Sequence, residues 1–120
     1  MDRRIKFLTP FIKLCAFFCG FAYVHNASAW DGAVSGVITG IDTVTAEPGN
    51  FEFRVFLGTA TICNGPIGSM NGWGYLNSSD SNYKVTVANL MLAFAAGKNV
   101  MIFSMVEGGA CHIRYVAIRN

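Results

Sequence analysis

The residues best equipped for chemistry are few. Beyond position 29, His112 is the sole imidazole. It follows Cys111 in a stretch of alternating apolar and polar residues, a setting that favours a structural or solvated histidine over a general base. Serines and aspartates are present, but no Gly-x-Ser-x-Gly sequence surrounds any serine. The sharp turn that presents a nucleophile in one large class of hydrolases is therefore missing. A zinc centre needs three or four ligands, which one histidine and two mutually paired cysteines do not supply. Gly65-x-x-Gly68 and Gly72-x-Gly74 lack the lysine and following helix of a phosphate-binding loop. These residues predict no enzyme, no cofactor and no metal.

Binding chemistry is better served. Trp73, Tyr75, Tyr83 and Tyr115 offer aromatic faces, on which the apolar C–H faces of sugars stack. Asn71 and Asn77 flank Trp73 and Tyr75 and supply directional hydrogen bonds. Trp73, Tyr75 and Asn77 form one candidate patch, set in and after the glycine-rich segment Asn64–Gly74. A loop of that length in so small a domain is a common seat of function.

The segment that must position these residues begins after a leader. Residues 1–29 open on Arg3, Arg4 and Lys6, run through an apolar stretch from Phe7 to Val24, and end in Ala27-Ser28-Ala29. That pattern predicts a secretory signal peptide cleaved before Trp30, with no membrane span afterwards and a secreted or periplasmic location. Residues 30–120 then form one domain. The whole chain carries 52% hydrophobic and 13% charged residues and a net charge of +2. The basic excess lies in the leader. Beyond it, Arg54, Lys84, Lys98, Arg114 and Arg119 face six carboxylates. This balance lacks the basic stripe of a nucleic-acid binder and the polybasic patch of a membrane-surface protein. Cys63 and Cys111 are the two cysteines that remain, and an oxidising compartment pairs them.

Periodicity gives the elements. Gly32–Val44 is rich in β-branched residues and reads as one strand, with Gly36 and Gly40 as sites of a bend or bulge. Glu47-Pro48-Gly49-Asn50 is a turn. Phe51–Leu57 alternates, with Phe51, Phe53, Val55 and Leu57 on one face. Thr59–Cys63 reads as a short third strand. Extended structure resumes at Trp73–Leu76. Asp80 or Ser81 is the expected cap of a helix over 82–96 whose apolar face is Val87, Leu90, Met91, Phe94 and Ala95, closed by Gly97. Val100–Val106 is an apolar strand, Glu107-Gly108-Gly109 a turn, and Cys111–Ile118 an alternating last strand. The fold class expected is mainly β: a small five-stranded OB-fold-like barrel with one α-helix between strands 3 and 4. An open sheet with a helix on one face is the competing architecture.

Three stretches resemble a known family. Asp31-Gly32-x-x-Ser35-Gly36-Val37 resembles the opening of the subtilase cytotoxin B subunit. Ala88 with Ala95-x-Gly97-Lys98-x-Val100-x-Ile102 looks like that subunit's helix and next strand. Trp73-x-Tyr75-Leu76-Asn77 and a late cysteine in the last strand, here Cys111, are similar to features of short secreted bacterial relatives. The resemblance implies an OB-like subunit of a ring-shaped pentamer that binds sialylated host glycans and carries a separate catalytic A subunit. It also implies that Asp31 and Ser35 contact the sugar. The function expected is thus non-catalytic glycan recognition in the manner of a toxin B subunit. The alternative is a stand-alone periplasmic protein that binds or inhibits a protein partner.

Overall fold

The structure, a computed structural model, describes residues 29–120. The expected leader, apart from Ala29, lies outside the described residues. The chain runs β1 (Gly32–Val37), β2 (Gly40–Thr43), β3 (Phe53–Phe56), β4 (Met70–Leu76), α1 (Tyr83–Ala96), β5 (Asn99–Glu107) and β6 (Ala110–Ile118). The six strands form one mixed sheet in the order β1-β5-β6-β4-β3-β2. Every pairing is antiparallel except β4 with β6. No helix among the described residues is long and apolar enough to cross a membrane.

The mainly β class with a single helix agrees with the sequence; the strand count differs. The expected first strand divides at Ile38 and Thr39, between the two glycines thought to bend it. Before the break the chain pairs with β5, and after it with β3. Ile38 turns into the core, 3% exposed. The Thr39 hydroxyl accepts from the Gly58 N–H at 2.7 Å and donates to the Phe56 carbonyl at 3.2 Å, which fixes the change of partner. The count therefore rises from five strands to six, and the helix falls between the fourth and fifth. β1 and β2 are the two ends of the sheet order and no ladder joins them, so the sheet is not closed.

Thr59–Cys63 is not a strand. Its backbone instead bridges two others: the Ile62 N–H donates to the Asn71 carbonyl and the Asn64 N–H to the Asp31 carbonyl. β4 starts three residues before Trp73, because Met70 pairs with Ala110 and its N–H reaches the Gly109 carbonyl. Cys63 and Cys111 form the expected disulfide, with a Cα–Cα distance of 5.6 Å. It ties this bridging segment to β6. Gly32 is the point of closest approach: a Cβ there would meet the Ile62 carbonyl at 2.0 Å. Only glycine lets β1 pass so near the disulfide-bearing segment.

The core consists of Ile38, Phe53, Val55, Leu57, Ile62, Leu76, Val100, Ile102 and Ile113, with Leu90 and Ala93 from α1. Tyr83 and Val87 pack against it. Met91, Phe94 and Ala95, expected on the inner face, are exposed, as are Val85 and Leu92. The helix is apolar nearly all round, so spacing alone does not reveal the inward face. Gly97 closes α1 in the left-handed conformation as expected, its N–H bonded to the Phe94 carbonyl. The N-cap is Asn82, also left-handed, not Asp80 or Ser81. The Asp80 carboxylate is engaged elsewhere.

Candidate functional site

That engagement is the centre of a polar cluster at the β4–β6 junction. The parallel register sets Tyr75 opposite His112. Their rings stack with centroids 4.5 Å apart and planes 14° apart. His112 is 6% exposed. Its Nε2 meets the Asp80 carboxylate at 2.7 Å, and its Nδ1 meets the Glu107 carboxylate. Both contacts are hydrogen bonds only when the ring carries both protons. Asp80 also accepts the Asn77 N–H at 2.7 Å, which shapes the loop that enters α1. Glu107, at the end of β5, receives the Arg114 guanidinium as well. That bond, aided by His112, holds the Glu107 carboxyl below its ordinary range against the opposing effect of burial. Burial, with the nearby Glu107 and Asp80 charges, pushes the Tyr75 phenol up to about 12. Its O–H donates to the Glu107 carbonyl at 3.1 Å. Neither ring nitrogen of His112 is left for a substrate.

The candidate patch of Trp73, Tyr75 and Asn77 adjoins this cluster. Phe51 packs edge-on against Tyr75 and Trp73, with centroids 4.6 and 5.4 Å away. To do so it leaves the extended region, at φ 52°, so the alternation expected from Phe51 onward begins only at Phe53. Arg54 lies over the Trp73 ring at 4.6 Å, a cation–π contact. Asn77 Oδ1 accepts the Glu52 N–H, and Glu52 accepts both the N–H and the hydroxyl of Ser78. The Ser78 N–H is the main cause of a lowered Glu52 carboxyl. The three residues are thus brought together, but Tyr75 is buried, Asn77 is tied to the backbone, and Trp73 is half-buried beneath a cation.

Asp31 and Ser35 lie elsewhere, beside β5. The Asp31 carboxylate accepts the Val106 N–H at 2.8 Å, while its own N–H donates to the Ser104 carbonyl. It braces the start of β1. Ser35 is exposed, opposite Met101. It opens into a depression of about 100 Å³ shared with Asn99, Met101, Ala117 and Arg119. In the sheet order β5 and β6 separate this site from Trp73 and Tyr75.

Two further concavities were not legible in the sequence. One, of about 110 Å³, lies between the entry to α1 and β6, with Asp80, Ser81, Thr86, Arg114 and Tyr115 on its walls. The other, of about 210 Å³, is lined by Trp30, Phe103 and Tyr115. Phe103 was hidden inside a continuous apolar run, where no alternation betrays an outward side chain. Tyr115 carried the available signal, as an aromatic in an alternating strand. No group of three or more His, Cys, Asp or Glu among the described residues is arranged to hold a metal ion. No protein-family model, curated protein or solved structure matches the chain.

Proposed function

We propose that this is an exported, non-catalytic binding protein, similar to a toxin B subunit, that recognises sialylated glycans at Ser35. The observation that carries this reading is the depression in which Ser35 opens. It is an almost wholly apolar hollow beside Met101 and Ala117, with Ser35, Asn99 and Arg119 among the residues around it. A sialic acid presents a carboxylate for the Arg119 guanidinium, hydroxyls for serine and asparagine, and an N-acyl methyl for the hollow. Asp31 acts by bracing β1, which positions Ser35 two turns of the pleat away. Trp73, Tyr75 and Asn77 serve as a second, lesser patch of the same ligand surface.

The OB-like barrel belongs to this proposal. β1 and β2 act as one strand bent at Ile38-Thr39, which brings the two ends of the sheet order together. The disulfide supports export to the periplasm or beyond, after cleavage before Trp30. The clamping of both His112 nitrogens supports a binding role over catalysis.

A glycan array tests the reading. The protein is expected to bind sialosides, and Ser35→Ala to lose that signal while remaining folded. A blank array with the native protein would defeat it. One observation favours the alternative, a protein partner: the outer face of α1 exposes Val85 at 61% and Leu92 at 69%. Assembly into a homopentamer that carries a separate A subunit would bury such a face. Mass in solution separates a pentamer from a monomer.

A further inference from the structure

The face that carries Ser35 continues beyond it. In the β1–β5–β6 ladder, Ser35 aligns with Met101 and Met101 with Ala117. Two residues along, Ala33 aligns with Phe103 and Phe103 with Tyr115. Residues two apart share a face, so the second row lies about 7 Å from the first. Its β5 and β6 members are rings. The Phe103 and Tyr115 centroids are 5.4 Å apart, and the Trp30 centroid is 5.7 Å from that of Phe103. Tyr115 is 50% exposed. The three rings line the 210 Å³ depression.

Tyr115 also lines the polar crevice next to it. The register shifts between Phe103 and Ser104, so Arg114 is the extra residue of a bulge in β6. The bulge leaves both Arg114 and Tyr115 exposed. Across the crevice, Ser81 and Thr86 bring hydroxyls that hold no side-chain hydrogen bond among the described residues. The polar groups on the β6 side already have partners: Arg114 meets Glu107, and the two His112 nitrogens meet Asp80 and Glu107. A neutral ligand with one apolar face and a rim of hydroxyls fits both parts, since its C–H face covers the rings and its hydroxyls meet Ser81, Thr86 and the guanidinium.

We infer that Trp30, Phe103 and Tyr115, with Ser81, Thr86 and Arg114 beside them, form a stacking subsite for a neutral pyranose. It goes beyond the Ser35 reading and stands without it, because it needs no acidic sugar. Saturation-transfer NMR with methyl β-lactoside, which carries no charge, tests it. Saturation is expected to pass from aromatic protons to the C–H face of one pyranose ring. Tyr115→Phe keeps the ring and is expected to keep binding. Tyr115→Ala is expected to weaken it about tenfold, or about 1.4 kcal/mol, and Ser81→Ala to weaken it less. Ser35→Ala is expected to leave it unchanged. Absence of transfer in the native protein overturns the inference. So does an equal loss in Ser35→Ala, which would place the lactoside at the other depression. A change of mass in solution for Tyr115→Ala, with lactoside transfer intact, overturns it too, since the rings would then meet a second copy of the chain.

Discussion

The two faces built around β6 use similar residues to opposite ends. At the β4–β6 junction, Tyr75, His112, Asp80 and Glu107 satisfy one another, and Trp73 is covered by Arg54. On the outward face of β1, β5 and β6, the serine, the rings and Arg119 border open depressions. Residue type does not distinguish the faces, since each has aromatics, a hydroxyl and an arginine. Satisfaction does. A buried polar group must find its partners within the protein, and once found they are withdrawn from any ligand. The first face therefore acts as scaffold, and the second is the one at which binding is proposed.

This contrast can be broken most severely at the disulfide. Cys63 and Cys111 are 48 residues apart in sequence. Replacing both by serine is expected to cost about 4 kcal/mol from the constraint lost in the unfolded chain. Denaturant titration with and without reductant measures it, and the reduced native protein should approach the variant. Next is His112→Ala, which leaves the Asp80 and Glu107 carboxylates without the imidazole between them. A loss of about 3 kcal/mol is expected, read as a fall in Tm. Ligand binding on the outward face should survive in the folded fraction. Loss of binding there with Tm preserved would mean that the two faces are not separate.

The pH dependence sharpens the same comparison. Glu107 has a lowered pKa in the folded state, chiefly from Arg114. Its contribution is complete above the unfolded carboxylate value, about 4.3, and is lost as pH falls through the lower folded value. Thermal melts taken from neutral pH into acid should show stability falling in that window. Glu107→Gln should melt lower at neutral pH and lose part of the acid-side slope. The smallest effect is expected at Leu92→Ser on the outer face of α1, within about 0.5 kcal/mol for an exposed side chain. If instead this variant shifts the mass in solution, the outer face of α1 is an interface and the outward surface is larger than β1, β5 and β6 alone.

Part of the outward face was legible in advance and much of the β4–β6 cluster was not. Ser35 was singled out and is exposed beside a cation, but Arg119 lies 84 positions later in the chain and is joined to Ser35 only through β5. Trp73, Tyr75 and Asn77 were chosen for their chemistry; their partners Arg54, Glu107 and Glu52 come from other strands and turns. The helix was found from its pattern and from Gly97, yet Met91 and Phe94 were placed inward when they face out. With an apolar residue at nearly every position, only packing against the core selects the face that Leu90 and Ala93 occupy.

Alternation and turn residues determined that residues 29–120 are mainly β with one helix, and the two late cysteines determined their cross-link. Those are local or combinatorial facts, carried by neighbouring residues or by the small number of possible pairs. The tertiary structure decided that the first strand changes partner at Ile38-Thr39, that Phe51 leaves the extended region, and that Phe103 and Tyr115 share an outward row. It also decided that His112 is clamped from two sides. Each of these depends on strand register and on groups distant in sequence, and register is set by the burial of a whole sheet face rather than by any short run of residues.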